Sequence, residues 1–370
     1  MLNKDLFTLL ITEAKKSGTR ILFMGDAAQL PPVGEQLSQV FLLPNKSELT
    51  KVERQKNDNP LMLIYDAIRN NLTSIADKFI HSTSLNNKSE GIIFTSLYKE
   101  FEKKAIELFN SNEYKTDKDF VKLLTWTNDD VKYWNTTIRN SIFNNPKEPV
   151  LKGDLLMAYN TVQVGYSQFI ENSADYEVLE TSDNITADGL NVINVKLDLI
   201  DDPGNPMNVN ILTPGTDNYV KFLQIFNAKL NAAKANRKLW PQYFEFKNKY
   251  LLLESLYGPG NQLIVKKDLD YGYAITIHKS QGSTYTNVLV NENNIDKNIN
   301  HSERNKLKYV AFSRPTENAY VLSEKTDNSR VPQIVKEAPQ VEDDIFGTVS
   351  GTPDLSPRVK RTKLFELKPC

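Results

Sequence analysis

The sequence predicts an α/β protein interrupted by a smaller β-rich region. Two observations carry this. Short, nearly all-apolar runs alternate with stretches of helical periodicity, as strands buried on both faces of a parallel sheet alternate with their crossover helices. Between about residues 150 and 260 the texture changes, and Gly, Pro, Asn and Asp punctuate short β-like runs.

The α/β elements follow in order. Leu6, Phe7, Leu9, Leu10 and Ala14 give residues 3–16 an apolar helical face, and Gly18 is a helix stop. Arg20 to Met24 then reads as a buried strand ending in the sharp turn Gly25-Asp26. Gly91 to Thr95 is a strand and Tyr98 to Asn110 its helix. Val121 to Trp126 is a strand and Asn128 to Asn140 its helix. Tyr273 to Ile277 leads into a strand at Val288 to Val290, a helix at Glu303 to Phe312 and a strand at Ala319 to Leu322. In the insertion, Asp154 to Ala158, Tyr176 to Leu179 and Val192 to Leu197 are β-like. Phe222 to Tyr250 is aromatic, basic and more helical, with a break at Pro241. From Glu324 onward periodicity disappears, which predicts a disordered tail with acidic Glu342-Asp343-Asp344 and a basic end around Arg358 to Lys363.

Composition limits the function classes. The 370 residues are 40% hydrophobic and 25% charged, ordinary for a globular protein with two or three domains. No apolar run approaches the ~18–20 residues of a membrane span, and the start has no basic n-region of a secretory signal. The only cysteine is Cys370, which excludes an internal disulfide framework and any multi-cysteine zinc site, and fits a reducing cytoplasm. No metal site is expected. A net charge of −1 argues against uniform coating of nucleic acid but leaves room for a local basic groove.

Three strings carry chemistry. In Gly25-Asp26-Ala27-Ala28-Gln29-Leu30-Pro31-Pro32-Val33, a turn off a buried strand presents a carboxylate and an amide, and Gln29 can orient water or sense a terminal phosphate. Its simpler reading is a loop with a proline stop. In His278-Lys279-Ser280-Gln281-Gly282-Ser283-Thr284, polar donors cluster where a strand ends, and Gly282 permits close backbone approach. The simpler reading is a capped helix start with a satisfied His278. In Tyr309-Val310-Ala311-Phe312-Ser313-Arg314-Pro315, a helix delivers one arginine at its end. That arginine is either a phosphate-facing finger or a cation favouring the helix dipole.

These strings resemble motifs III, V and VI of superfamily 1 DNA helicases of the RecD/Dda-like branch. Two weaker strings fall in the matching order. Glu53-Arg54-Gln55, after the strand-like Leu49 to Val52, resembles motif IV. Thr125-Trp126-Thr127-Asn128, with Asn135 and Arg139 on the following helix, resembles the element that meets single-stranded DNA. The resemblance covers about residues 1–323. It implies a RecA-like second motor domain with an inserted, β-barrel-like small domain, although Gly153 to Glu180 fits that insertion only loosely. The expected organisation is a remnant of the first motor domain (1–45), the first part of the second (46–149), the β-rich insertion (150–262), the second part (263–324) and the tail (325–370).

The resemblance implies roles. Arg314, Gln29 and Arg54 would act on the γ-phosphate. Gly25, Asp26, Gln281 and Gly282 would line the nucleotide, and Pro31, Thr127, Asn128, His278, Lys279 and Ser280 would touch DNA. ATP with Mg²⁺ would be the cofactor and single-stranded DNA the partner. The family's Gly-x-x-x-x-Gly-Lys-Ser/Thr phosphate loop and its Asp-Glu magnesium pair are both missing. That leaves a separate N-terminal helicase half, an internal start, or a retained non-catalytic binding module. A replication or recombination protein engaging the tail is a further expected partner. Expected localisation is cytoplasmic, in the host if phage-encoded. The function implied is the C-terminal part of an ATP-dependent 5′–3′ helicase; the alternative is a DNA-binding adaptor.

Overall fold

The computed structural model describes residues 2–32, 34–47, 58–165, 167–182 and 185–327, and the backbone of 333–334. The chain forms two compact units, one of residues 1–96, 281–287 and 292–370, the other of 97–280 and 288–291. The strand Tyr285–Asn291 belongs to the first through Asn287 and to the second from Val288.

In the first unit, helix Lys4–Ser17 is capped at both ends. The Asn3 side chain accepts from the Leu6 N–H, and Gly18, at φ 67°, closes the helix onto the Ala14 carbonyl. Strands Gly91–Thr95 and Pro315–Leu322 pair in parallel, with Asn318 opposite Gly91 and Leu322 opposite Thr95. Ser84–Leu85 pairs antiparallel with Gly91–Thr95. Helix His301–Phe312 precedes Pro315–Leu322 and packs on helix Leu61–Arg69.

Two sequence expectations change here. Arg20 to Met24 is not a strand: Leu22 is 76% and Met24 90% exposed, and no described strand pairs with the run. A run suited to two-sided burial finds no partner strand among the described residues. The first described residues of the expected tail have partners in the fold. Lys325 pairs with Asp77 and Asp296 at 2.6 and 2.8 Å, and Gln333–Ile334 pairs in parallel with Ser84–Leu85. The rest of the expected tail, the strand-like Leu49 to Val52, and Val33 lie outside the described residues.

The second unit opens with helix Tyr98–Phe109 and strand Val121–Thr125, all five residues of which are buried. That strand pairs in parallel with Ala274–Thr276, Thr125 opposite Thr276. Helix Asn128–Phe143 covers the pair; Thr127 is its N-cap, Asp129 and Asp130 suit its first turn, and Asn144 ends it in the left-handed region at φ 54°. Asn135 and Arg139 face inward. Asn135 donates to the carbonyls of Tyr271 and Ala274 and accepts from the Ala274 N–H, clamping the helix to the strand. Arg139 makes a bidentate pair with buried Asp154, both distances 2.8 Å. Both side chains are buried and hold the helix to the rest of the unit.

The insertion is a sheet in the order Tyr250–Leu251, Met207–Leu212, Leu190–Leu199, Asp175–Thr181, Leu155–Ala158, Leu269–Tyr271, with Ile185–Ala187 also on Leu190–Leu199. Its pairs are antiparallel except the first. Period-two alternation gives it two cores. Ile193, Val195, Leu197, Val209 and Ile211 pack on one face. Leu190, Val192 and Leu212 pack on the other against Phe222, Phe226, Tyr243 and Phe246 of helices Thr216–Ala235 and Trp240–Lys249. No described helix is long and apolar enough to cross a membrane.

Candidate functional site

The expected site residues fall into two groups, one in each unit. The boundary between the units lies inside one string, between Ser280 and Gln281.

In the first unit the Gly25-Asp26 turn is built as expected, although the strand before it is not. The Asp26 carboxylate accepts from the Ala28 N–H at 2.9 Å, and the Asp26 carbonyl accepts from the Gln29 N–H at 3.1 Å. A Cβ on Gly25 would lie 3.1 Å from the Phe41 ring, so a larger residue there would push on it. The Tyr309 hydroxyl donates to Asp26 Oδ2 at 2.7 Å. Arg69 approaches both, 3.9 Å from Asp26 Oδ1 and 3.4 Å from the Tyr309 oxygen. Burial, then the Asp26 carboxylate, pushes the Tyr309 hydroxyl well above its ordinary pKa, so it remains a donor. Sequence reasoning missed Arg69 and did not assign Tyr309. Their only signal was an arginine ending an apolar helix and a tyrosine one turn before Arg314.

The Gln29 amide is half-buried and makes no side-chain hydrogen bond among the described residues. Arg314 is 1% exposed. Its Nε donates to the Val310 carbonyl at 3.0 Å, Nη1 to the Ser283 carbonyl at 3.1 Å and Nη2 to Ser313 Oγ at 2.9 Å. It caps its own helix and ties down the Gln281 to Ser283 turn, where Gly282 sits at φ 95°. Arg54 lies outside the described residues.

A second charged group in this unit surrounds Lys308. Its ammonium lies 2.6 Å from Glu292, 3.0 Å from Asp77 and 2.8 Å from Asp296, and His81 Nε2 lies 3.1 Å from Glu292. Burial alone would raise both acids, but Lys308 dominates beside Asp77, with His81 and Lys308 beside Glu292, and each carboxyl is held at about 2. Asp77, His81 and Glu292 have metal-ligand chemistry within 4.8 Å of one another. The Lys308 ammonium already occupies the electrostatic position a metal would take, so the group is a buried ion network.

In the second unit, Thr127-Asn128 and His278 to Ser280 leave the carboxyl ends of adjacent parallel strands. The Ile277 N–H donates to the Thr125 carbonyl at 2.9 Å, which fixes the two loops at one edge. Thr125 Oγ1 donates to Asp130 Oδ2 at 2.5 Å, and Asn291 donates to the same oxygen at 2.9 Å. Asn128 is exposed, and Thr127 and His278 are half-buried. Ser280 is fully buried, with Oγ donating to the Ile277 carbonyl at 2.9 Å, so it shapes the turn. Lys279 reaches the Ala158 carbonyl at 3.1 Å and Ser173 Oγ at 3.2 Å, and lies 4.2 Å from the centre of the Tyr159 ring. Lys266 and Lys267 approach the same ring at 5.9 and 4.3 Å. Burial, helped by Lys266 and Lys267, lowers the Lys279 pKa to about 8. Sequence reasoning missed Tyr159 and the Lys266-Lys267 pair, which nothing marked beyond an adjacent pair of lysines.

For ATP with Mg²⁺ the fit is partial. Gln29 and Arg69 offer donors suited to a terminal phosphate, but the chain has no glycine-rich loop to cradle the inner phosphates.

Comparison with known proteins adds one localised match. Residues 271–322 match the family model of the UvrD-like helicase C-terminal domain, so this segment is helicase-like. Over 355 residues, 80% of this chain and 68% of the other, the chain is 24% identical to uncharacterized protein R530 of Acanthamoeba polyphaga mimivirus. It is 30% identical over 107 residues to uncharacterized protein MJ1519 of Methanocaldococcus jannaschii, covering 29% of this chain and 9% of that one. Among solved structures it is similar to the Pif1 helicase from Bacteroides in complex with ADP-AlF3 and ssDNA, with a TM-score of 0.41, 16% identity and 86% of this chain covered. For the Pif1 helicase from Candida albicans the TM-score is 0.41, the identity 15% and the coverage 84%. The chain spans 65% and 64% of the length of those two structures.

Proposed function

We propose that this chain supplies the C-terminal part of an ATP-dependent DNA helicase, moving 5′ to 3′ along single-stranded DNA. The observation that carries the reading is the match of residues 271–322 to the UvrD-like helicase C-terminal domain, because it spans the strings containing Lys279 and Arg314. The shared strand edge supports it: Thr127-Asn128 and the His278 loop emerge together, where hydroxyl and amide donors suit phosphate and sugar oxygens. In this reading Gln29 senses the terminal phosphate. Arg314 is the arginine finger and acts only after its guanidinium leaves the Val310 and Ser283 carbonyls.

The test is an ATPase assay with and without oligo(dT). This chain alone is expected to show no DNA-stimulated turnover. Adding a polypeptide with the phosphate loop and Asp-Glu pair of a related motor should create turnover. Arg314→Ala should then remove most of it, since such fingers are worth ~10³–10⁵ in rate. A change below about tenfold would remove Arg314 from that role.

A second reading, a DNA-binding adaptor without turnover, is favoured by one observation: the burial of Arg314 and its bonds to its own chain. It predicts retained oligo(dT) binding and no turnover with any added half.

A further inference from the structure

The helical hairpin of the insertion carries a charge unlike the rest of the molecule. Residues 216–249 hold Lys221, Lys229, Lys234, Arg237, Lys238, Lys247 and Lys249 against Asp217 and Glu245, a net charge of +5 in a chain of net −1. One side of the hairpin is spent on the sheet, through Phe222, Phe226, Tyr243 and Phe246. Lys229 is half-buried, its ammonium 5.5 Å from the centre of the Phe246 ring, and the other six cations are exposed. Lys234, Arg237, Lys238 and Lys247 are exposed and make no ion pair among the described residues, whereas Lys249 is paired with Asp188 at 2.8 Å.

Aromatic surface accompanies this charge. Trp240 and Phe244, one turn apart on helix Trp240–Lys249, stack with ring centres 5.7 Å apart and planes 28° from parallel. Phe244 is 49% exposed and Trp240 half-buried, so the stack meets solvent. Arg237 and Lys238 occupy the short 3-10 turn leading into it. Lone exposed aromatics are common on surfaces. An exposed stacked pair beside unpaired cations is the combination that single-stranded nucleic acid uses, with bases on ring faces and phosphates on cations.

We propose that the tip of this hairpin is a second binding surface for single-stranded nucleic acid, separate from the Thr127 and His278 loops. Arg237, Lys238 and Lys247 would take the phosphates, and Phe244 with Trp240 would stack a base. Neither the helicase reading nor the adaptor reading is needed for it, since charge and exposed aromatic surface carry it.

The test measures binding of the full chain to fluorescent oligo(dT) and to a mixed-sequence duplex across a salt series. The variants are Arg237→Glu with Lys238→Glu, Phe244→Ala, and separately Asn128→Ala with Lys279→Ala. All of the hairpin substitutions fall on exposed side chains, and thermal unfolding will confirm that the variants fold. The charge reversal should weaken oligo(dT) binding at least tenfold. It should also reduce the slope of log K against log salt by about 1.4, the loss of two phosphate contacts to a single strand. Phe244→Ala should weaken oligo(dT) at least fivefold and leave the duplex unchanged. The hairpin and loop variants should combine additively. Unchanged affinity and slope after the charge reversal would overturn the proposal, as would equal loss of duplex and oligo(dT) on Phe244→Ala.

Discussion

Two apolar runs of nearly equal length meet opposite fates in this chain. Ile21-Leu22-Phe23-Met24 is irregular and largely exposed, whereas Val121 to Thr125 is a strand without an exposed residue, although it contains a lysine. By composition the first is the better candidate for two-sided burial. The second succeeds because it has neighbours: Ala274–Thr276 pairs with it in register, and helix Asn128–Phe143 covers it. A strand is a property of a sheet, and apolar patterning reports only readiness to join one. The lysine makes the same point. Lys122 is tolerated because its ammonium reaches Asp175 at 2.6 Å and the Gly272 carbonyl at 2.8 Å.

The largest test of this contrast removes that compensation. Lys122→Met keeps the volume and the apolar stem but strands the Asp175 carboxylate, whose pKa burial already raises. Removing one partner of a buried pair costs about 3–5 kcal/mol. Urea unfolding of the variant should show a loss of that order, and adding Asp175→Asn should recover part of it. A loss under about 1 kcal/mol, or no recovery, would mean that water reaches the site and the pair is not what permits the buried lysine.

A second test compares the ion network around Lys308 with the apolar strand. Asp77 and Glu292 are held at about 2, below ordinary values of 3.8 and 4.5. Groups with depressed folded pKa values contribute stability above their unfolded pKa and lose it as pH falls through the folded one. Stability should therefore be flat above about pH 5 as far as these two acids are concerned, and should decline between about 4.5 and 2. Lys308→Met should lower stability at pH 7 and flatten the acid decline. An acid limb as steep as the parent's, measured by urea unfolding at each pH, would place the responsible carboxylates elsewhere.

How much was legible follows the same division between local and distant causes. The strand Gly91–Thr95 and the start of helix Asn128–Phe143 were readable, because an apolar run with a glycine at its head and a threonine N-cap are local signals. The common edge of the Thr127 and His278 loops was also readable, since both follow predicted strands. What was not readable depends on partners far along the chain. Asn135 and Arg139 were noted only for following a string that resembles a DNA-meeting element; Asn135 answers Tyr271 and Ala274, and Arg139 answers Asp154. Ser280 looked like a ligand donor, but its hydroxyl turns to the Ile277 carbonyl, a choice between equivalent local acceptors that sequence does not mark. Arg69 was missed because its relation to Asp26 and Tyr309 exists only once helix Leu61–Arg69 packs on helix His301–Phe312.

The smallest expected effect returns to the exposed run. If Leu22 and Met24 contribute nothing to a core in this chain, replacing both by lysine removes little burial and strands no polar group. Surface substitutions of this kind fall within about ±0.5 kcal/mol. The matched change in the buried run, Leu124→Ala, should cost about 2–5 kcal/mol, because Leu124 is fully buried in a paired strand. Leu22→Lys with Met24→Lys should therefore leave the urea midpoint unchanged while Leu124→Ala lowers it markedly. The same double variant should reduce self-association at high concentration, since apolar side chains 76% and 90% exposed are an aggregation hazard. If the lysine pair instead cost more than about 1 kcal/mol, the run would be packed against something in solution, and the difference between the two runs would be one of partner rather than of order.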